Sequence, residues 1–171
     1  MQLQNYYYWF KDAIPHHVCD DIVRYAKSIQ DEMAVTGGLG NRKLNKKEVT
    51  DLKKKRDSDI VWLNERWIYN AIHPYIHAAN RDANWNFQWD FSESCQFTKY
   101  KKGQYYDWHC DSWDKPYDSP NTPSHGKQRK LSVTLSLSDD KDYSGGELEF
   151  DMRNMDPDKK TNTHVLKEIR S

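Results

Sequence analysis

Apolar positions along the first eighty residues recur mostly at helical spacing, and later ones at a spacing of two. Val18, Ile22, Ala26 and Ile29 mark one face of an α-helix that Pro15 opens, since proline suits a first helical turn. Gly37-Gly38-Leu39-Gly40 ends that region, and the polar stretch that follows to Asp57 reads as a loop. Asp59 to Leu63 is a short apolar run, after which Asn64 is placed to cap a second helix over Glu65 to Ala79. Trp67, Ile68, Ala71, Ile72, Tyr75 and Ile76 give that helix a buried face, and Pro74 predicts a kink in it.

Beyond residue 80 the period changes. Trp85, Phe87, Trp89 and Phe91 alternate with Asn86, Gln88 and Asp90, and Leu131, Val133, Leu135 and Leu137 alternate with Ser132, Thr134 and Ser136. Both runs predict half-buried strands. Strands are also predicted for Gln4 to Phe10, Cys95 to Tyr100, Glu147 to Phe150 and Val165 to Ile169, with turns at Gly103 and at Ser144-Gly145-Gly146. No internal repeat is visible. Helices followed by many short strands predict an α+β fold, an antiparallel sandwich or barrel with helices packed outside.

Composition bounds this picture. The 171 residues fit one domain, with 1–80 mainly helical support and 81–171 strands. Seven Trp, 11 Tyr and 5 Phe supply bulky core material despite a hydrophobic fraction of 36%. Basic and acidic residues number 26 each, so no net field draws the chain to nucleic acid or a membrane surface. The one basic run, Arg42 to Arg56, reads as a solvated surface. Three cysteines, Cys19, Cys95 and Cys110, lack the spacing of a disulfide framework or zinc site, which suggests a reducing, cytoplasmic setting. The first residues show neither a signal peptide nor an apolar span.

The candidate chemistry lies at His109-Cys110-Asp111, at the start of what reads as a strand. Side chains two apart on a strand share a face, so His109 and Asp111 converge while Cys110 turns away into packing. An imidazole and a carboxylate are two-thirds of the facial triad that holds Fe(II) in oxygenases. A bare His-x-Asp is common, but here it belongs to an ordered series: Gln96-Phe97-Thr98-Lys99-Tyr100, Gly103, Tyr106, His109, Asp111, Arg129-Lys130-Leu131-Ser132-Val133 and Tyr143-Ser144-Gly145-Gly146-Glu147-Leu148.

That series resembles the 2-oxoglutarate/Fe(II)-dependent dioxygenase superfamily, in its prolyl 4-hydroxylase-like branch, closely over Phe91 to Phe150 and more loosely over Ile14 to Asn80. The resemblance implies a double-stranded β-helix, or jelly roll. It implies that His109 and Asp111 are the first two iron ligands, that Tyr100 lines the 2-oxoglutarate pocket, and that Leu148 walls it. Tyr106 packs beside the metal segment in this scheme, and Gly145 and Gly146 serve the turn. Fe(II), 2-oxoglutarate and O2, with ascorbate as reductant, would support hydroxylation of an unactivated C–H. The implied substrate is prolyl or another peptide, protein or small molecule, with no nucleic-acid or membrane partner.

Members of that branch carry a distal histidine and, some ten residues later, a basic residue for the far carboxylate of 2-oxoglutarate. Here the only late histidine is His164, with Arg170 six residues on. The expectation is a chain that stops before its last catalytic strands, so that the third ligand is either His164 or a residue beyond Ser171. Two ligands alone would hold iron weakly and turn 2-oxoglutarate over slowly. The alternative is a catalytically impaired jelly-roll module that binds a partner. Of the remaining residues, His73 and His77 are expected to be structural, and His16 and His17 exposed. Lys115 to Lys127, which includes His125, forms a lid or a connector, and Trp108 and Trp113 form a pocket wall or core.

Overall fold

The computed structural model describes residues 6–29 and 45–151 in full, and residues 32–33 and 163–166 by their backbone. Helix α1 spans His16–Ser28, with Pro15 immediately ahead and its carbonyl accepting from the Val18 and Cys19 amides at 2.9 and 3.2 Å. Its buried stripe is Cys19, Ile22 and Ala26. Strand β1 is the short Glu32–Met33. Helix α2, Lys46–Lys53, occupies a stretch expected to be a loop. A capping box explains it: the Asn45 side chain accepts from the Glu48 amide at 2.9 Å, and the Glu48 carboxylate accepts from the Asn45 amide at 2.8 Å.

Next come β2 (Arg56–Asp57), β3 (Asp59–Leu63) and helix α3 (Arg66–Asp82), which runs through Pro74. The helix starts one residue later than expected, with Glu65 rather than Asn64 at its N-cap. The Asn64 side chain instead accepts from the Ser94 hydroxyl at 2.7 Å. Strands β4 (Cys95–Lys99), β5 (Tyr105–Tyr106), β6 (Leu148–Asp151) and β7 (Thr163–Leu166) complete the set, with a short 3-10 helix at Asp140–Asp142 before β6. The strands make three small antiparallel sheets: β1-β3-β4, β2-β5 and β6-β7. This is an α+β arrangement, and β3 pairs with β4 across the expected boundary at residue 80.

The core lies where α1, β3 and α3 meet. Ile22, Ala26, Val61, Leu63 and Ile68 are buried there, with Cys95, Phe97, Leu135 and Leu137 packed against them. Each fully buried aliphatic side chain contributes about 1.5–3 kcal/mol. Because directly paired residues of an antiparallel ladder share a face, Val61, Leu63, Phe97 and Cys95 form the core side of the β3–β4 ladder. The other side carries Ile60, Trp62, Gln96 and Thr98.

Several expected strands are absent among the described residues, which do not close into a jelly roll. Over 85–91 the backbone is diverted by Asn80. Its carbonyl accepts from the Trp85 and Asn86 amides, and its side-chain amide bonds both the N–H and the C=O of Phe87 at 3.0 and 2.9 Å. Those are the groups a neighbouring strand would have used, and Asn86 takes a positive φ of 54°. Over 131–137, Leu135 and Leu137 reach the core but Val133 stays exposed, and the segment pairs with no strand. Residues 6–10 likewise form no strand, while residues 4–5 lie outside the described residues.

Candidate active site around His109 and Asp111

The β2–β5 pair sets the position of the metal-type residues. Arg56 pairs with Tyr106 and Asp57 with Tyr105, and the Asp107 amide extends the contact by donating to the Lys55 carbonyl at 2.8 Å. The chain then leaves the ladder, so His109 and Asp111 sit on a loop rather than on the expected strand. Hydrogen bonds replace strand geometry. The Asp107 side chain accepts from the Trp108 amide at 2.8 Å, and the Asp107 carbonyl lies 2.7 Å from His109 Nδ1. The Tyr106 ring stacks on the imidazole with centroids 3.6 Å apart and planes at 14°.

His109 and Asp111 converge all the same, with Nε2 3.2 Å from Oδ1. A carbonyl oxygen only accepts, so Nδ1 carries a proton for the Asp107 carbonyl, and Nε2 is the ring nitrogen that faces the carboxylate and would be available to a metal. Two ligands about 2.1 Å from one ion, at right angles to it, lie about 3 Å apart. The pair therefore suits adjacent positions on a metal such as Fe(II). Among the described residues no third His, Cys, Asp or Glu joins it.

Asp111 is held from two further directions. Its Oδ2 accepts from the Ser132 hydroxyl, and its backbone carbonyl accepts from Arg129 at 2.6 Å. Arg129 is locked in turn by the Glu93 carboxylate, which accepts from Nε at 3.0 Å and from the terminal nitrogen at 2.5 Å. This bidentate pair holds the Glu93 carboxyl below its ordinary range and raises the Arg129 guanidinium. Tyr117 donates to the same carboxylate at 3.1 Å. The loop that follows is closed at its base by Tyr117 and Lys127, and Lys127 pairs with Asp90 at 2.7 Å.

Tyr100 follows β4, in line with Gln96 and Thr98 on the side of the ladder away from the core. The residue is 51% exposed, yet desolvation of its phenol raises the pKa, opposed by the nearby Arg56 guanidinium and Ser58. Tyr100 therefore stays a hydroxyl donor at neutral pH. Leu148 lies on β6, half-buried, paired with Leu166 in a separate sheet. His164 lies on β7 opposite Phe150; its side chain, and the whole of Arg170, fall outside the described residues.

Other expectations change. Cys110 is exposed, as are Trp108 and Trp113 at 52% and 57%, because a loop gives none of them an interior side to occupy. His73 and His77 both pack on Trp89, with centroids 5.1 and 4.8 Å away, along an open cleft of about 610 Å³. Burial lowers the His73 pKa, which fits a packed neutral imidazole. Three site-building residues carried no role in the sequence reading: Arg56, Glu93 and Arg129. Glu93 meets its partner 36 positions away, which no local pattern announces.

A family model for the 2OG-Fe(II) oxygenase superfamily matches residues 95–168. The match begins at the first residue of β4 and spans Tyr100, His109, Asp111 and Leu148. It supports an oxygenase of dioxygenase type, using Fe(II), 2-oxoglutarate and O2. No curated protein and no solved structure matches the chain. Among the described residues no helix is long and apolar enough to cross a membrane.

Proposed function

We propose that this chain is an Fe(II)- and 2-oxoglutarate-dependent dioxygenase that hydroxylates an unactivated C–H bond. His109 and Asp111 are two of its iron ligands. The observation that carries this reading is the 3.2 Å approach of His109 Nε2 to Asp111 Oδ1, with Nδ1 tied to the Asp107 carbonyl and Oδ2 to Ser132. Both side chains are thus oriented before any metal arrives, as outer partners orient ligands in metal sites.

Bound iron with 2-oxoglutarate and O2 would supply the oxidising chemistry, coupling loss of carbon dioxide and formation of succinate to hydroxylation. The protein residues bind and orient. The Tyr100 hydroxyl donates to the co-substrate, Leu148 contributes an apolar wall, and Arg129 fixes the Asp111 backbone. The prolyl 4-hydroxylase-like pattern of the sequence favours a prolyl or other peptidyl substrate, a jelly-roll completion of the fold, and ascorbate as reductant. The third ligand is His164 or a residue beyond Ser171.

Succinate formation from 2-oxoglutarate tests this reading. Fe(II)-loaded protein is expected to form succinate only in the presence of O2, and His109→Ala to abolish it. Succinate formation undiminished in His109→Ala removes that histidine from the site.

A further inference from the structure

The β6–β7 sheet stands apart from the core. It has two strands, and none of its described residues belongs to the buried cluster where α1, β3 and α3 meet. A two-stranded pair on its own is marginal in water and needs something packed against it. Leu148 and Phe150 lie two apart on β6, so they share a face, and both are half-buried while Glu149 between them is exposed. Tyr7 meets that face. Its ring stacks on Phe150 with centroids 5.1 Å apart and planes at 4°.

The same short segment is anchored at its other end. Phe10 packs edge-on against Tyr75 of α3, with centroids 5.2 Å apart and planes at 72°, and Tyr8 leans on Phe10 at 5.1 Å. The Tyr75 hydroxyl donates to the Ala13 carbonyl, and the next residue, Ile14, is buried. Residues 7–14 therefore run from the Leu148 face of β6 to α3. Residues 6–10 form no strand, so aromatic side chains rather than a backbone ladder make this connection. One such aromatic pair is worth up to about tenfold in an equilibrium.

We propose that residues 7–10 form a strap that ties β6, and Leu148 with it, to α3. Tyr7 is a positioning residue at one end, and Phe10 is the anchor at the other. The consequence for the site rests on the dioxygenase reading above, in which Leu148 walls the co-substrate. A loosened strap then weakens 2-oxoglutarate binding and leaves the His109–Asp111 pair intact.

Hydrogen–deuterium exchange of the ligand-free whole chain, read by mass spectrometry, tests the strap. In Tyr7→Ala the amides of residues 148–151 are expected to exchange about tenfold faster, while those of β3 and α3 keep their wild-type rates. Tyr7→Phe keeps the ring and is expected to restore slow exchange. Phe10→Ala is expected to speed β6 as much as Tyr7→Ala does, and the double variant no more than either alone, because a strap needs both of its ends. Unchanged exchange at 148–151 in Tyr7→Ala, or additive effects in the double variant, overturns the strap. A rise spread over β3 and α3, or loss of the fold, makes Tyr7 part of the general packing and overturns it as well. Titration with Mn(II) and 2-oxoglutarate in the absence of O2 reads the consequence for the site. Tyr7→Ala is expected to keep its Mn(II) affinity and to bind 2-oxoglutarate about tenfold more weakly. An unchanged 2-oxoglutarate affinity overturns the role of the strap in the site. Failure of wild-type protein to bind 2-oxoglutarate overturns the dioxygenase reading, and the exchange rates still decide the strap.

Discussion

The two faces of the β3–β4 ladder show how one short sheet serves two purposes. One face puts Val61, Leu63 and Phe97 against α1 and α3 and contributes stability. The other puts Gln96 and Thr98 around Arg56, where three neutral partners surround a charge. The strands are the same, the register is the same, and only the alternation of side chains differs. An apolar face gains from burial, whereas a face that buries a cation with no carboxylate partner among the described residues gives up stability.

That contrast can be broken by paired substitutions. Leu63→Ala is expected to lower unfolding free energy by about 3 kcal/mol, as a cavity in a packed core does. Arg56→Met on the opposite face is expected to leave the stability of the ligand-free protein unchanged or raise it. Urea denaturation of both variants checks this, and a loss in Arg56→Met matching that of Leu63→Ala would make the polar face structural too.

The Glu93–Arg129 pair reaches Asp111 through its backbone carbonyl and through charge. Glu93→Gln is expected to weaken Mn(II) binding about tenfold, the usual effect of disturbing a ligand's outer support. Its stability effect is smaller, under about 1 kcal/mol, because both side chains are partly exposed to solvent. The pair depresses the Glu93 pKa, so its contribution is present above the ordinary glutamate range, near 4.3, and is lost as the pH falls below it. Urea midpoints between pH 3 and pH 6 should fall less steeply for Glu93→Gln than for wild type. The smallest effect is expected from Ser132→Ala, which frees one Asp111 oxygen and should cost a few-fold in Mn(II) affinity by the same titration.

Sequence patterns made the apolar face readable and left much of the polar one hidden. The Ile22–Ala26 stripe, β3 and β4 follow from periodicity, and the turns at Gly103 and Gly145-Gly146 from glycine, all three of which take a positive φ. His109 and Asp111 were legible as a pair, though a hydrogen-bonded loop rather than strand alternation brings them together. The alternation at 85–91 misled because the Asn80 side chain occupies the Phe87 backbone, a tertiary event no period reports. Helix α2 had a readable signal in Asn45 and Glu48, masked by the surrounding lysines. Arg56 stands at the end of that basic run, and nothing in its neighbours marks it as the one that is buried.

We propose that His109 and Asp111 hold a metal together with 2-oxoglutarate. Electron paramagnetic resonance of Mn(II) added to the protein without oxygen reads it directly. 2-Oxoglutarate is expected to tighten Mn(II) binding, and His109→Ala to remove both the binding and the tightening. Mn(II) binding that ignores 2-oxoglutarate and survives His109→Ala would contradict it.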